Sequence, residues 1–374
     1  MGLCIQELVV EQFRNLTTNS LTLASDCNIF LGENGSGKTS LLEAIYYLSC
    51  GRSFRTQQKN RLLQHEQPHF FVTAKLLDEQ GQKTVLGSQR TRAGEVVSRV
   101  SGQPARGFSE IARFLPLQLI TPETFKLFIG GAKERRKFVD LGVFHVEHQF
   151  HQHWLSFSRV LKHRNALLKQ IKLGVNQRSE LKYWNDEFVR LSEVLNQFRR
   201  NYVERLNQVF EEHYAQLFQA MNLALHYKPG WNEDIGLASH LKNVEQADFR
   251  YGYSTIGAHK FDLVIKSGDS SVEDYLSRGQ LKLLIYCLKL AQNRLLAKAT
   301  QTVPVLLVDD IPSELDNKTL GIIFDELAKA GGQKFITAIQ LPGCDKILSN
   351  FKSVQMFHVK HGEITQEQDL EQAV

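Results

Sequence analysis

The sequence predicts an α/β fold in which a mixed β-sheet is flanked by helices, with a small antiparallel part and an inserted α-helical lobe. Predicted strands and helices alternate at both ends of the chain, as in a mostly parallel sheet. A glycine-rich loop joins an apolar strand to a helix near residue 38. The middle of the chain carries a sustained helical stripe of apolar residues.

The N-terminal segment contains two predicted strands, Cys4–Val10 and Asn28–Leu31, and a helix that follows the glycine-rich loop. Alternating residues and turn signals between residues 70 and 100 predict short antiparallel strands. The C-terminal third returns to the α/β pattern. Its predicted elements are a helix over 279–298 and strands at 303–308, 334–339 and 354–360.

The middle segment predicts a helical hairpin. Apolar residues recur every three or four positions from Phe150 to Ile171, and a break follows at 173–176. The second stripe comprises Trp184, Phe188, Leu191, Leu195, Phe198, Tyr202, Leu206 and Val209. We therefore expect an insert over 141–240, between segments 1–140 and 241–374 that together form the other lobe.

Composition narrows the class of protein. The 374 residues are 42% hydrophobic and 23% charged, which excludes a mainly disordered or fibrous chain. No segment approaches the ~20 apolar residues of a membrane span, and the N-terminus lacks a secretory signal pattern. The 5 cysteines are scattered and form no CxxC pair, which argues against a disulfide framework and against a zinc site. A cytoplasmic protein without a membrane partner is expected.

The segment Gly32–Thr39, GENGSGKT, matches the P-loop pattern GxxxxGK[ST] in full. Glycines let the backbone curl so that several N–H groups face one anion, and the following helix adds its positive end. Lys38 is expected to reach the β- and γ-phosphates and so assist catalysis, and Thr39 to bind Mg²⁺. The predicted ATP-binding residues are Gly32, Asn34, Gly35, Ser36, Gly37, Lys38, Thr39 and Ser40.

The apolar run 303–308 ends in Asp309 and Asp310. A carboxylate at the end of a buried strand beside the P-loop holds Mg²⁺ through water, the role predicted for Asp309. Asp310 is the predicted catalytic residue that positions or deprotonates the attacking water. An apolar run followed by two aspartates is a weak pattern by itself, and the P-loop makes it informative.

The segment 276–280, LSRGQ, resembles the signature motif LSGGQ of ABC-type ATPases, with Arg278 replacing a glycine. In that superfamily the motif contacts the γ-phosphate bound by the opposite subunit. The resemblance implies that Ser277, Gly279 and Gln280 act in trans in an ATP-dependent homodimer. The segment 313–316 resembles the D-loop of these enzymes and adds Asp316 to this set.

Together the motifs resemble the RecF family of bacterial DNA replication and repair proteins, SMC-like ABC ATPases without long coiled coils. The resemblance extends from the segment FRNL, which includes Arg14, through the block RRKFVD at 135–140 to VDDIPSELD and MFHVKHGEI. It implies an ATP-controlled clamp at single-strand gaps in DNA, slow ATP hydrolysis and help in loading RecA with RecO and RecR. Arg14 is an expected ATP contact. The sensing glutamine and switch residue are not assigned by the motifs; Gln118 is a candidate for the first, and Thr337 or Gln340 for the second.

Basic residues indicate where DNA would bind without sequence preference. Residues 150–231 contain 12 Lys and Arg against 7 Asp and Glu, and the loops of residues 83–106 are also basic. No base-reading motif is present. The candidates after the P-loop helix are Arg52, Arg55, Lys59 and Arg61, whereas Arg135 and Arg136 pair with Asp140 or another carboxylate if their role is structural.

Two other functions carry the same nucleotide motifs. The ATPase subunit of a membrane transporter is disfavoured by the helical insert and by the RRKFVD block. A nuclease-associated ATPase is disfavoured because no acidic cluster is evident beyond Asp309 and Asp310.

Overall fold

The computed structural model describes residues 4–78, 80–174, 178–218, 221–268, 270–311, 315–341 and 348–367. The chain divides into two compact units. The first unit combines Met1–Thr124 with Lys282–Val374, and the second is Phe125–Leu281. These limits differ from the predicted bounds at residues 140 and 240.

The secondary structure follows the predicted order of elements. The strands are β1 (Cys4–Glu11), β2 (Asn19–Thr22), β3 (Cys27–Leu31), β4 (His69–Leu77), β5 (Lys83–Thr91), β6 (Val96–Val100), β7 (Gln103–Pro104), β8 (Leu117–Ile120), β9 (Leu223–Lys228), β10 (Asp262–Ser267), β11 (Ser270–Ser271), β12 (Val305–Val308), β13 (Lys334–Ala338), β14 (Val354–Lys360) and β15 (Glu363–Gln366). The helices are α1 (Lys38–Cys50), α2 (Phe108–Phe114), α3 (Lys126–Ile129), α4 (Ala132–Val146), α5 (Phe150–Lys172), α6 (Arg178–Tyr214), α7 (Leu237–Asn243), α8 (Glu245–Tyr251), α9 (Val272–Tyr275), α10 (Arg278–Thr300) and α11 (Asn317–Lys329). Short 3₁₀ turns occupy Lys59–Leu62, Pro122–Phe125, Ala215–Phe218 and Ala258–Lys260.

The first unit contains a mixed sheet in the order β15-β14-β3-β13-β12-β8. Strands β14, β3, β13, β12 and β8 are parallel to their neighbours, and only the pairing of β15 with β14 is antiparallel. Strand β13 lies between β3, the strand before the P-loop, and β12, the strand before Asp309 and Asp310 (the acidic strand). The acidic strand is therefore not the immediate neighbour of the P-loop strand. Parallel strands end at one edge of the sheet, and ligands of such sheets bind at that edge.

A second sheet of the first unit is entirely antiparallel, in the order β2-β1-β4-β5-β6-β7. With six strands it equals the mixed sheet in strand number, so the antiparallel part is larger than predicted. Helix α1 contributes Leu41, Leu42, Ile45 and Leu48, all fully buried, to a core shared with residues of both sheets. This packing fixes the helix that follows the P-loop.

The second unit confirms the helical hairpin, because α5 packs along the 37-residue α6. Most of the predicted stripe on α6 is buried, and its remaining members are half-buried. On α5, Trp154 is 39% exposed, although the predicted apolar stripe from Phe150 to Ile171 includes it four residues after Phe150. Its side chain hydrogen-bonds Asp140 of α4, and α4 also packs on α6 and β10 within this unit. These contacts explain why the division into units places α4 with the hairpin.

Candidate nucleotide-binding site

The P-loop lies between β3 and α1 in a conformation that depends on glycine. Gly35 and Gly37 have φ values of 81° and 125°, which residues with a Cβ rarely adopt. Gly37 is the N-cap of α1, and no side chain caps this end of the helix. The first N–H groups of α1 therefore remain available to an anion at the positive end of the helix dipole.

Lys38 folds back over this loop. Its Nζ donates hydrogen bonds to the carbonyl oxygens of Gly32, at 2.5 Å, and Glu33, at 2.8 Å. The side chain is buried, and this burial lowers the pKa of Lys38, whereas the charges of Asp310 and Asp309 oppose the shift. An incoming phosphate would give the ammonium group an anionic partner in place of neutral carbonyls.

A hydrogen bond joins Asp309, at the end of β12, to the P-loop. Thr39 Oγ1 donates to Asp309 Oδ1 at 2.9 Å, although β13 separates β12 from β3 in the sheet. A second donor, Thr337 Oγ1, reaches the same carboxylate oxygen at 2.9 Å. Burial raises the pKa of Asp309, and these two hydrogen bonds act in the opposite direction.

Thr39 and Asp309 fit a magnesium ion. Magnesium prefers oxygen ligands and usually keeps waters, binding through one or two protein groups and substrate phosphates. The hydroxyl of Thr39 donates its proton to Asp309, which leaves its oxygen lone pairs for a cation. No group of three or more His, Cys, Asp or Glu side chains suited to a metal occurs among the described residues.

These residues share a cavity of about 640 Å³, within the usual range for small-molecule sites. Its lining comprises Asn15, Asn34, Gly35, Gly37, Lys38, Thr39, Ser40, Phe54, Arg55, Leu119, Thr121, Pro122, Glu123, Asp309 and Asp310. Most of the predicted ATP-binding set, Asp309 and Asp310 thus meet in one place. Gly32 and Ser36 belong to the loop without lining the cavity.

Asn15 is a site residue for which the sequence predicted no role. It accepts a hydrogen bond from Ser40 Oγ at 2.7 Å and donates one to the carbonyl of Gly35 at 3.2 Å, so it braces the P-loop. Its neighbour Arg14 instead forms a two-pronged ion pair with buried Glu43 of α1, at 2.7 and 2.8 Å. Arg14 does not line the cavity, and its contact with ATP stays a prediction.

Arg55 was predicted as a DNA contact, but the structure places it in the wall of the cavity. Its Nη1 lies 3.7 Å from Glu43 Oε2. Arg52 interacts with the Tyr46 hydroxyl. Lys59 and Arg61 lie exposed on the 3₁₀ turn that follows. The sequence suggested this set only because its members follow the P-loop helix, and that position does not distinguish an arginine that lines the cavity from one that lies elsewhere on the surface.

Gln118 does not fit the role of sensing residue. It is 5% exposed on β8 and hydrogen-bonds Gln292 at 3.5 Å, so it faces the interior of the first unit. Side chains alternate along a strand, and the next residue, Leu119, lines the cavity. Beyond the end of β8, Thr121 and Glu123 also line it.

The signature segment lies in the second unit, where Ser277 and Gln280 form a reciprocal pair. Ser277 N–H donates to Gln280 Oε1 at 2.9 Å, and Gln280 N–H donates to Ser277 Oγ at 3.3 Å. This is the capping-box arrangement, and it places Ser277 and Gly279 at the start of α10.

Asp316 caps α11 by accepting hydrogen bonds from Thr319 N and Oγ1 at 2.9 and 2.8 Å. These bonds lower the pKa of Asp316. Residues 313 and 314 of the D-loop-like segment lie outside the described residues.

The RRKFVD block is structural within the second unit. Arg135 pairs with Asp262 at 2.8 Å and with Glu273 at 3.1 Å. Asp140 pairs instead with Arg199, which is 2% exposed. The expectation that Arg135 pairs with a carboxylate is confirmed, with a different partner from Asp140.

Two basic residues of the hairpin are unsuited to DNA phosphates. Arg164 on α5 and Arg199 on α6 are both buried in ion pairs. A helical stripe does not reveal this from sequence, because a charged residue at a core position has the same spacing as an apolar one.

Comparisons with known proteins agree with these motifs. Residues 4–365 match the family described as the RecF/RecN/SMC N terminal domain. The chain is 42% identical to the DNA replication and repair protein RecF of Pseudoalteromonas translucida, covering 96% of this chain and 99% of the relative. It is 36% identical to RecF of Shewanella loihica over the same shares of the two chains.

Solved structures show the same similarity. The fold matches the recombination mediator protein RecF of the RecFOR pathway, solved as RecF-ATPrS, with a TM-score of 0.80 and 26% identity over 98% of this chain and 99% of that one. The structure solved as RecF-ATP matches with a TM-score of 0.77 and 26% identity over 98% of each chain. An Smc head domain from Pyrococcus furiosus shares the fold, with a TM-score of 0.57 and 17% identity over 99% of this chain and 98% of that one.

Proposed function

Because the chain belongs to the RecF/RecN/SMC family, and within it to the RecF DNA replication and repair proteins, we propose that it is an ATP-controlled DNA clamp. It binds duplex DNA and single-strand gap junctions in recombinational repair and replication restart. The observation that carries the proposal is the single cavity in which the P-loop meets Asp309 and Asp310. Similarity to RecF over nearly the whole chain favours it over a transporter subunit or a nuclease-associated ATPase.

Each part of the cavity has a task in ATP binding. The glycine loop and the uncapped start of α1 supply N–H donors to the phosphates, and Lys38 supplies charge at the β- and γ-phosphates. Thr39 and Asp309 would hold Mg²⁺, which neutralises charge that develops on the phosphates. Asp310, beside Asp309, positions the attacking water or accepts its proton. Hydrolysis is slow, is stimulated by DNA and serves as a conformational switch.

The second half of the proposal is a dimer with shared nucleotide. The start of α10 presents Ser277 and Gly279, and Asp316 starts α11. ATP held by Lys38 of one subunit then meets Ser277 of the other. Closure creates a basic groove for DNA, and hydrolysis aided by Asp310 opens it again.

Binding to DNA without sequence preference rests on exposed cations. Arg52, Lys59 and Arg61 remain candidates, and affinity should fall steeply with salt as counterions are released. The solved relatives are described as recombination mediators of the RecFOR pathway. We extend this to RecO, RecR and RecA as partners and to a cytoplasmic location. No helix in the described part of the chain is long and apolar enough to cross a membrane.

Light scattering with and without ATP and Mg²⁺ tests the proposal, with ATP affinity measured in parallel. Wild type should change from monomer to dimer only with nucleotide. Ser277→Arg should still bind ATP but stay monomeric. Ser239→Arg, which places the same side chain on the exposed face of α7, is the matched control and should dimerise.

Two results would contradict parts of the proposal. A wild type that binds ATP but stays monomeric, with or without gapped DNA, would exclude the clamp. A wild type that binds no ATP would exclude nucleotide control altogether.

A further inference from the structure

Strand β13 carries Thr337, one of the two candidates that the sequence offered for the switch residue. It lies between the P-loop strand β3 and the acidic strand β12. Near its end is Thr337, a fully buried polar residue whose backbone pairs with Phe30 of β3. A buried hydroxyl needs hydrogen-bond partners. Those of Thr337 belong to residues 309–311, the acidic loop that follows β12.

Thr337 contacts three consecutive residues of that loop. Its Oγ1 donates to Asp309 Oδ1 at 2.9 Å and accepts from Asp310 N–H at 2.7 Å. Its carbonyl oxygen accepts from Ile311 N–H at 2.9 Å. The hydroxyl thus joins the side chain of the predicted magnesium ligand to the backbone of the predicted catalytic residue.

The backbone of Asp310 needs such support. Its φ of 52° lies in the left-handed region, which a residue other than glycine adopts at a cost of about 1 kcal/mol or more. Such a conformation persists only when surrounding contacts enforce it. The hydrogen bond from Asp310 N–H to Thr337 is one of these contacts, and it sets the direction in which the carboxylate leaves the backbone.

We propose that Thr337 is a positioning residue for ATP hydrolysis, which holds Asp310 in its left-handed conformation and Asp309 against Thr39. Thr337 does not line the cavity, so it acts through the two aspartates. This inference rests on the proposed ATPase function. It assigns the contact with the acidic loop to Thr337 and not to Gln340, the alternative switch residue.

Thr337→Val tests the inference because valine has nearly the shape of threonine but neither donates nor accepts. ATP affinity should change by less than about 3-fold, since the P-loop and Lys38 are untouched. Single-turnover hydrolysis should fall by about 10- to 100-fold, because small displacements of a catalytic group cost this much. Thr337→Ser keeps the hydroxyl and should recover most of the rate.

A double-mutant comparison separates positioning from general damage. Asp310→Asn alone should slow hydrolysis. Thr337→Val should slow hydrolysis much less when it is added to Asp310→Asn than when it is made in wild type, because the effects of residues that act as a unit are not additive. Thr73→Val on β4, in the other sheet of the same unit, is the matched control and should behave as wild type. Circular dichroism checks folding, and Thr337→Ala is a second variant that removes the same bonds.

The outcomes are distinct. Hydrolysis by Thr337→Val and Thr337→Ala within 2-fold of wild type would overturn the inference while leaving the ATPase proposal intact. Loss of binding and hydrolysis together, without rescue by serine, would also overturn it, by showing a purely structural role. A wild type that binds ATP without hydrolysing it would instead refute the proposed ATPase activity, and with it the role of Thr337.

Discussion

The buried ion pair between Arg164 and Asp248 makes a strong prediction about the stability of the second unit. Their side chains are 1% and 0% exposed, and Arg164 Nη2 lies 2.8 Å from Asp248 Oδ2. The other guanidinium nitrogens donate to Ser254 Oγ at 2.6 Å and Asn185 Oδ1 at 2.7 Å. Burial lowers the pKa of Arg164, and Asp248 opposes that shift, so the carboxylate compensates the buried charge.

Asp248→Asn keeps the shape of the side chain and removes its charge. Asp248 Oδ1 also accepts from Thr255 N and Oγ1 at 2.9 and 2.7 Å, which favours an asparagine oxygen on that side. The asparagine NH₂ would then face Arg164 Nη2, donor against donor. Removing one partner of a buried ion pair costs about 3–5 kcal/mol, and we expect a loss of that size in the free energy of unfolding.

Urea unfolding followed by tryptophan fluorescence measures this loss. The 3 tryptophans, Trp154, Trp184 and Trp231, all lie in the second unit, so the signal reports that unit. The matched control is Glu187→Gln, which breaks the exposed pair with Arg190 and should leave the transition unchanged. A loss below about 1 kcal/mol for Asp248→Asn would refute the reasoning that the pair compensates a buried charge.

Three further predictions concern single groups. Burial lowers the pKa of His259 to about 4, so the folded protein excludes a proton that the unfolded chain binds below pH 6.5. Stability should fall by up to ~3 kcal/mol between pH 6.5 and 4, and a urea series on His259→Gln should show a correspondingly weaker pH dependence. Burial lowers the pKa of Lys289 to about 8. The stability of wild type should therefore rise by up to ~3 kcal/mol as pH increases from 8 towards 10.5, and Lys289→Met should lack this rise in the same assay. Arg135 holds Glu273 of α9, shortly before the signature segment, so Arg135→Gln should weaken ATP-dependent dimerisation in light scattering while ATP affinity is kept.

Patterns local in sequence predicted much of this fold. Strand β14 lies where its apolar residues indicated, and the stripe on α6 is buried or half-buried. The P-loop and Asp309 meet as expected, because both follow parallel strands of one sheet. These successes share a cause, since periodicity and strand-end chemistry are carried by residues close together in the chain.

Relations between distant segments were not predictable in this way. Nothing in the sequence of β13 states that it inserts between β3 and β12, so the contact of Thr337 with the acidic loop was not foreseen. Arg164 carries a charge that normally indicates a surface, and its burial depends on Asp248, 84 positions later. Pairings of this kind are properties of the tertiary structure.

The two sides of the cavity differ in the partners that hold their functional groups. On the acidic side, Thr39 Oγ1 donates a hydrogen bond to Asp309, and Asp310 N–H donates one to Thr337 Oγ1. On the P-loop side, Lys38 is bonded to carbonyl oxygens of its own loop. In the proposed function, phosphate would replace the neutral carbonyl partners of Lys38 with an anionic one, whereas Asp309 and Asp310 keep partners that belong to other strands and to Thr39. For the proposed ATPase, this arrangement predicts that rearrangement is confined to the binding step and that the hydrolytic groups are preorganised for the chemical step.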